Sequence, residues 1–300
     1  MTQSERPVGW LAFLGVIGLS VTGAANAAPR SEMVRVAPNV RLHMLEDGKA
    51  SARPTLVFIP GWRLTASIWA EQIRAFASDG RVLAIDPRSQ GDSTKTDEGD
   101  TPEQRARDYH ALLASVHAGP IVLVGWSQGV QDVAAYVDQF GTDGIKAIVL
   151  VDSTISKGAA NIPATLPITV QQLRRLAILS DSPRDYTEGM LHAIISKPLA
   201  DAAFNELVAQ SLKTPTATSQ AMLIADLFGK DRSAAIPKFT VPTLIIASGR
   251  SDELSEQREL ASKLPNGRIE VVDQAAHAVF VDQPERFTQL VREFMEHLPA

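Results

Sequence analysis

The sequence predicts an α/β fold in which helices flank a mostly parallel central sheet. Three observations support this prediction. Short, continuous apolar runs recur along the chain, which is typical of strands that are buried on both faces. Segments with helical spacing separate these runs. The alternation is interrupted once, over residues 153–236, which contain no strand-like run and which we expect to be a helical insertion.

The first half of the chain alternates predicted strands and helices. Residues Met33–Glu46 alternate in polarity around a Pro-Asn break, which predicts a short hairpin. The buried strands that follow are predicted at Thr55–Ile59, Val82–Ile85, Ile121–Val124 and Ala147–Val151. The helices are predicted at Ser67–Ser78, Pro102–His117 and Gln128–Phe140, the second of them with Thr101 as its N-cap.

Residues 153–236 are predicted to form a lid, because insertions of this kind usually lie over a site. Prolines at 163, 167, 183, 198 and 215 are expected to separate helical stretches such as Val170–Leu179 and Ala200–Leu212. The sheet pattern then resumes with Thr243–Ile246 and Arg268–Val272 and ends in a helix at Pro284–His297. The predicted core therefore comprises residues 29–152 and 237–300.

Composition excludes several classes of protein. The 300 residues are 45% hydrophobic and 21% charged, which is ordinary for a globular chain and excludes wholesale disorder. Because there is no cysteine, disulfide frameworks, thiolate metal sites and cysteine nucleophiles are excluded. A net charge of −5 without a Lys/Arg cluster argues against nucleic acid as a partner. We expect a small-molecule substrate, and the oligomeric state stays open.

An apolar run near the N-terminus predicts export. It extends from Val8 to Ala25 and ends in the small-x-small pattern Ala25-Asn26-Ala27. This order is typical of a signal peptide, here residues 1–28, with cleavage after Ala27 or Ala28 and a periplasmic or extracellular product. A retained membrane anchor is the alternative, although the run is barely long enough to span a bilayer. After cleavage we expect no membrane association.

The segment Gly125–Gly129 (GWSQG) predicts a nucleophilic serine. It directly follows a predicted strand and begins a predicted helix, a turn so tight that glycine is needed on both sides of Ser127. A serine hydroxyl reacts only when a base accepts its proton. Of the six histidines, His277 lies in the loop between the last strand and the last helix, where it is placed to reach the strand ends.

Two aspartates compete for the role of the acid that orients His277. Asp252 follows the strand Thr243–Ile246 and gives the chain order Ser, Asp, His, so we favour it. Asp152 follows the strand Ala147–Val151 directly and is the alternative.

Stabilising a tetrahedral intermediate requires backbone donors. We predict that the N–H groups of Gln128 and Trp62 form the oxyanion hole, with Gly61 permitting the turn after the strand Thr55–Ile59. Gly61 and Trp126 are also predicted to line the substrate pocket. Arg63, the next residue of this loop, is either an ordinary loop charge or a substrate contact.

Five segments of the chain form one recognisable pattern. They are Phe58–Trp62, Asp86–Ser93, Gly125–Gly129, Val241–Ile246 with Asp252, and His277 with Phe280 and Pro284. The pattern resembles the α/β-hydrolase-fold superfamily in its serine esterase and haloperoxidase-like branch, and it covers nearly all of Met33–His297. The resemblance implies an inserted helical lid and neither metal nor cofactor. The chain departs from it at Pro60, where many relatives have His, and at Ser89, where glycine is usual.

The resemblance implies a serine hydrolase that cleaves a carboxylic ester or lactone of a small, mostly apolar substrate through an acyl-enzyme, and the predicted signal peptide makes it an exported one. Haloperoxidase, perhydrolase or C–C bond hydrolase activity on the same triad is the alternative, and a non-catalytic ligand-binding protein is an alternative of another class. A lipase acting at a lipid surface would require an exposed apolar patch on the lid. Charges such as Arg174 and Arg175 argue against such a patch.

Overall fold

A computed structural model describes residues 28–298. The predicted signal peptide lies outside the described residues except for Ala28. Within the described range, no helix combines the length and the apolar character needed to cross a bilayer.

A central sheet of eight strands organises the fold. The strands are β1 Arg30–Ala37, β2 Val40–Asp47, β3 Thr55–Ile59, β4 Val82–Ile85, β5 Ile121–Trp126, β6 Ile145–Val151, β7 Thr243–Ser248 and β8 Gly267–Val272. Their order across the sheet is β1-β2-β4-β3-β5-β6-β7-β8. The hairpin strand β2 pairs antiparallel with β1 and β4, and all other pairs are parallel. The predicted mostly parallel sheet is confirmed.

The core contains six α-helices in the described part of the chain, and the sequence predicts all of them except those at Leu254–Lys263 and Val279–Asp282. They are α1 Ala70–Phe76, α2 Pro102–Ser115, α3 Gln128–Phe140, α8 Leu254–Lys263, α9 Val279–Asp282 and α10 Pro284–Glu296. At the start of α2, Thr101 Oγ1 accepts a hydrogen bond from the backbone N–H of Gln104 at 3.2 Å, which is the predicted N-cap. Helices cover both faces of the sheet, so every residue of β3, β4, β5 and β7 is buried.

Between β6 and β7 the chain forms four α-helices, here called the lid helices. They are α4 Ile162–Asp181, α5 Pro183–Ile194, α6 Asp201–Leu212 and α7 Thr216–Leu227. The helical character of this segment agrees with the sequence, but Pro167 lies inside α4 and does not separate two helices. A proline removes one backbone hydrogen bond, and the flanking turns carry the helix through it.

The lid helices expose apolar side chains, contrary to the expectation from their charges. Among the described residues, the exposed large apolar side chains are Met33 and six others that all belong to this segment. These six are Leu166, Val170, Leu173, Ile178, Ile224 and Phe228. The arginines at 174 and 175 therefore border an apolar surface without removing it.

Candidate active site

Ser127 occupies the strained turn that the sequence predicts between β5 and α3. Its backbone has φ 56° and ψ −122°, a conformation that is rare for residues other than glycine. A Cβ atom on Gly125 would lie 2.5 Å from the Gly129 carbonyl oxygen, and one on Gly129 would lie 2.8 Å from the Ile59 carbonyl oxygen. The two glycines thus allow the strand and helix to approach closely enough to form the turn.

His277 is paired with a carboxylate and held beside the Ser127 turn. Its Nδ1 atom lies 2.8 Å from Asp152 Oδ2, and its side chain keeps 33% of its surface exposed while that of Asp152 keeps 2%. The indole Nε1 of Trp126 donates to the His277 carbonyl oxygen at 2.9 Å, and the two rings lie 5.3 Å apart. Because Trp126 directly precedes Ser127, these contacts hold His277 against the residue before the serine.

The prediction that Asp252 orients His277 is wrong, and the alternative, Asp152, takes this place. Asp252 is exposed in the turn between β7 and α8, whereas Asp152 directly follows β6. Strand β6 is the immediate neighbour of β5, which carries Ser127 at its end, and β7 lies one strand further away. An acid at the end of the nearer strand therefore meets the imidazole.

The loop after β3 brings the predicted oxyanion residues to the serine. A Cβ atom on Gly61 would lie 2.9 Å from Ser127 Cβ and 3.4 Å from its Oγ. Gln128 is the first residue of α3, whose leading amides have no partner within the helix. Among the described residues, neither the Trp62 nor the Gln128 backbone N–H donates to a protein acceptor. Both amides are therefore free to donate to an oxyanion at Ser127.

The two tryptophan side chains near Ser127 have different surroundings. Trp126 is 1% exposed and packs edge-on against Trp69 and Phe280. Contrary to the prediction, it does not line an open pocket. Trp62 is only partly buried, and its Nε1 donates to the Ser219 carbonyl oxygen of α7 at 2.8 Å. Its ring also meets Tyr186 of α5 edge-on at 6.0 Å.

Helix α7 lies against the oxyanion loop and the start of α3. Besides the bond from Trp62, the side-chain amide of Gln128 lies 3.4 Å from the Met222 carbonyl oxygen. The side chains of both predicted oxyanion residues thus contact α7, one of the lid helices.

Glu253 is a charged neighbour of the site that sequence reasoning did not single out. Its Oε2 atom lies 3.3 Å from the backbone N–H of Thr154, just after Asp152. Desolvation by the surrounding protein raises the pKa of Glu253, and its electrostatic interaction with His277 opposes that rise. The sequence offered one indication of its position, because Glu253 directly follows Asp252 in the loop after a predicted strand.

One group of side chains with metal-binding chemistry occurs in the described part of the chain. It consists of His43, Asp86 and Asp92, whose ligand atoms lie within 4.8 Å of one another. These atoms already have protein partners: His43 Nδ1 lies 2.8 Å from Asp86 Oδ2, the Ala66 N–H donates to Asp86, and Lys213 pairs with Asp92. The group joins β2 to the loop after β4.

A sequence model described as the alpha/beta hydrolase family matches residues 56–290. The chain belongs to the alpha/beta hydrolase family. The strand order, the glycine-framed turn at Ser127 and the His277–Asp152 pair are thus features of an alpha/beta hydrolase.

Similar proteins include oxidising and ester-cleaving enzymes. This alpha/beta hydrolase is 26% identical to a non-heme chloroperoxidase of Kitasatospora aureofaciens over 80% of this chain and 91% of that protein. It is 25% identical to a pimeloyl-[acyl-carrier protein] methyl ester esterase of Neisseria meningitidis, covering 79% and 92% of the two chains. The structure of a bromoperoxidase from Bacillus anthracis superimposes with a TM-score of 0.76 at 18% identity, over 89% of this chain and 100% of the other, and shows the shared fold.

Proposed function

We propose that this alpha/beta hydrolase is a serine carboxylic ester hydrolase with Ser127, His277 and Asp152 as its catalytic triad. The observation that carries the proposal is the 2.8 Å contact between His277 Nδ1 and Asp152 Oδ2, made next to a serine in a strained backbone conformation. The ester-cleaving relative supports the reaction class.

The geometry assigns the imidazole its tautomer. With Nδ1–H donating to Asp152, the Nε2 atom of His277 carries a lone pair and accepts the proton of Ser127 as its oxygen attacks the carbonyl carbon. The Asp152 carboxylate stabilises the imidazolium that forms. The imidazolium then gives its proton to the leaving alcohol, which departs and leaves an acyl-enzyme on Ser127.

The second half of the reaction uses the same groups. His277 accepts a proton from water, the hydroxide attacks the acyl carbonyl, and the proton returns to Ser127 as the acid is released. In both halves, the N–H groups of Trp62 and Gln128 donate to the negative oxygen of the tetrahedral intermediate. The substrate is a small ester or lactone, and the proposed signal peptide at residues 1–28 exports the enzyme.

A fluorophosphonate probe tests this proposal. We expect covalent labelling of the folded wild-type protein and none of Ser127→Ala or His277→Ala, with Asp252→Asn labelled like the wild type. Absence of labelling in folded wild-type protein would contradict an activated serine and favour a ligand-binding protein. p-Nitrophenyl esters of increasing chain length, followed by lactones, then define the substrate.

Perhydrolysis is a second candidate, favoured by the chloroperoxidase relative. In this reaction hydrogen peroxide replaces water as the nucleophile on the acyl-enzyme and releases a peracid, which then oxidises halide. The measurement is peroxide-dependent bromination of monochlorodimedone in acetate buffer. A rate well below that of ester hydrolysis would exclude it as the main activity.

A further inference from the structure

Arg63, which follows Trp62 in the loop after β3, is a buried cation without a counter-ion. Arg63 is 1% exposed, and its Nε and Nη1 atoms are buried without any hydrogen-bond partner. In the described part of the chain, no carboxylate forms an ion pair with it. Its backbone lies in the left-handed region with φ 61°, which fixes the direction of the side chain.

A second buried arginine of the same chain shows what a structural guanidinium looks like here. Arg105 is fully buried and is paired with Asp132, whose carboxylate lies 2.7 Å from Nη2 and 3.0 Å from Nε. A buried charge is strongly unfavourable unless it is paired and hydrogen-bonded. Arg63 lacks the partner that Arg105 has.

Aromatic rings contact Arg63 but do not replace a counter-ion. Its guanidinium carbon lies 5.7 Å from the ring centre of Trp62 and 5.8 Å from that of Tyr186. Cation–π contacts of this kind offset only part of the loss of hydration. Burial lowers the pKa of Arg63 to about 10, so the group is still a cation at neutral pH.

The position of Arg63 connects it with the reacting atoms. It lies two residues after Gly61, where even a Cβ atom would come within 2.9 Å of Ser127 Cβ, and one residue after the predicted oxyanion donor Trp62. Consecutive Cα atoms are about 3.8 Å apart, so the Cα atom of Arg63 lies at most about 7.6 Å from that of Gly61, and its side chain is long enough to reach a substrate bound at Ser127.

We propose that Arg63 binds a carboxylate of the substrate and so determines specificity for esters that carry a negative charge close to the scissile bond. The substrate class is then a half-ester of a short dicarboxylic acid, or a lactone with a carboxylate substituent. This inference rests on the proposed ester hydrolase function. A guanidinium with free Nε–H and Nη–H groups binds a carboxylate through two parallel hydrogen bonds, which supply the missing counter-ion.

The proposal requires the ligand to pass beneath α5 to reach Arg63. Tyr186 of that helix covers the guanidinium, and Arg63 and Arg175 are the two cations that act on the Tyr186 hydroxyl. The surroundings of Tyr186 are therefore positively charged, which favours entry of an anion. The rings of Trp62 and Tyr186 beside the guanidinium are apolar, in keeping with a short hydrocarbon linker between the carboxylate and the ester.

A binding experiment tests the proposal without any turnover. Thermal unfolding of Ser127→Ala is followed with monoethyl glutarate, glutarate and, as the uncharged control, diethyl glutarate. We expect the two anions to raise the melting temperature and the diester to have little effect, since a ligand that binds only the folded state stabilises it. The additional substitution Arg63→Gln removes the anion effect, whereas Arg74→Gln, on the exposed surface of α1, preserves it. An equal response with and without Arg63 would overturn the proposal.

A kinetic experiment measures the same interaction in the transition state. The ratio of kcat/KM for monoethyl glutarate to that for diethyl glutarate is expected to fall about 10- to 100-fold in Arg63→Gln, the range for a lost hydrogen bond to a charged group. The ratio for Arg63→Lys should lie between those of the wild type and Arg63→Gln, because lysine keeps the charge but cannot form two parallel hydrogen bonds. An unchanged ratio would overturn the proposal.

Two measurements distinguish a failure of this inference from a failure of the proposed ester hydrolase function. Fluorophosphonate labelling of the wild type tests the proposed function alone, so loss of carboxylate preference in Arg63→Gln, with the wild type labelled, supports the role of Arg63. Loss of labelling in the wild type itself is instead a failure of the proposed function. Without ligand, Arg63→Gln should be at least as stable as the wild type because it removes an unpaired buried charge. A clear drop in its melting temperature would assign the guanidinium a structural role and overturn the inference.

Discussion

Asp152 uses both oxygens of its carboxylate to connect three parts of the site. Oδ2 pairs with His277, and Oδ1 accepts from the Ser248 backbone N–H at 2.8 Å and from Gln257 Nε2 at 3.2 Å. A carboxylate fixed in this way holds the imidazole in one orientation. Asp252, exposed in its turn, has no comparable set of contacts with the site.

This difference predicts opposite outcomes for two isosteric substitutions. Asp152→Asn should lower kcat by about 10³- to 10⁴-fold, because an amide facing Nδ1 favours the wrong imidazole tautomer. Asp252→Asn should change kcat by less than about twofold. Steady-state hydrolysis of a p-nitrophenyl ester checks both variants, with circular dichroism to confirm folding. If kcat falls strongly in Asp252→Asn and not in Asp152→Asn, Asp252 is the acid, as chain order favours.

Gly61 tests how closely the oxyanion loop must approach the nucleophile. In Gly61→Ala the new methyl group would lie 2.9 Å from Ser127 Cβ, so the loop or the serine must move. We expect kcat/KM to fall by about 100-fold while the melting temperature changes little, because small displacements of reacting groups have large effects on rate.

Gly189→Ala is the matched control for this substitution. A Cβ atom at Gly189, in α5, meets nothing within 4 Å, so this variant should keep its activity. Equal activities of the two variants would show that the approach of Gly61 to Ser127 is not needed for catalysis.

At the scale of elements, the contact between the β3 loop and α7 links the predicted oxyanion hole to the lid helices. Trp62→Phe keeps an aromatic ring and the backbone donor but removes the indole bond to the Ser219 carbonyl, worth about 1 kcal/mol. We expect KM to rise several-fold with kcat within about threefold, together with faster hydrogen exchange in α7.

Ser219→Ala provides the control because it retains the carbonyl that accepts the bond. Its KM and the exchange rates of α7 should stay close to those of the wild type. If both variants behave alike, the indole bond does not hold α7 over the site.

The core elements were predictable because local sequence determines them. The central strands β3 to β7 are built around continuous apolar runs, and α3 begins at Gln128 and ends at Phe140, as its periodicity indicates. The turn at Ser127 was equally readable, since glycine at 125 and 129 is a local requirement. The identity of the acid could not be predicted from the sequence, because Asp152 and Asp252 both follow strands. Only the order of strands across the sheet decides which one meets His277.

The surroundings of individual side chains were also beyond the reach of sequence patterns. The same loop contains a partly buried Trp62 and a fully buried Arg63, although an arginine in a loop is usually exposed. Helix α4 contains a proline and bears exposed apolar residues, both of which depend on where the lid helices pack.

For the whole molecule, Asp226 of α7 introduces a pH dependence of stability. Burial raises its pKa to about 6, which the charges of Arg232 and Arg105 only partly oppose. Because the folded state binds this proton more tightly than the unfolded chain, the contribution of Asp226 to stability falls as pH rises from about 4 to about 6 and is constant above.

Urea unfolding between pH 4 and 8 measures this contribution as a difference between variants. Relative to the wild type, Asp226→Asn should gain about 1–3 kcal/mol of unfolding free energy as the pH rises from about 4 to about 6, since one pKa unit corresponds to about 1.4 kcal/mol. Asp231→Asn should show the opposite sign when the range is extended below pH 4, because hydrogen bonds from Ser233 lower the pKa of Asp231 and stabilise its charged form. A pH-independent difference for Asp226→Asn would contradict the prediction.

The insertion of the lid helices between two paired strands has a consequence for how the enzyme matures. Asp152 is held by β7, through its N–H to the Ile246 carbonyl and through Ser248, yet roughly ninety residues separate β6 from β7 along the chain. Contacts between segments so far apart in sequence form slowly. The turn at Ser127, built from adjacent segments, is therefore expected to form before its acid arrives. A newly made chain would carry its serine in place for a time while still inert, and pulses of fluorophosphonate during refolding should show labelling that lags behind recovery of helical structure.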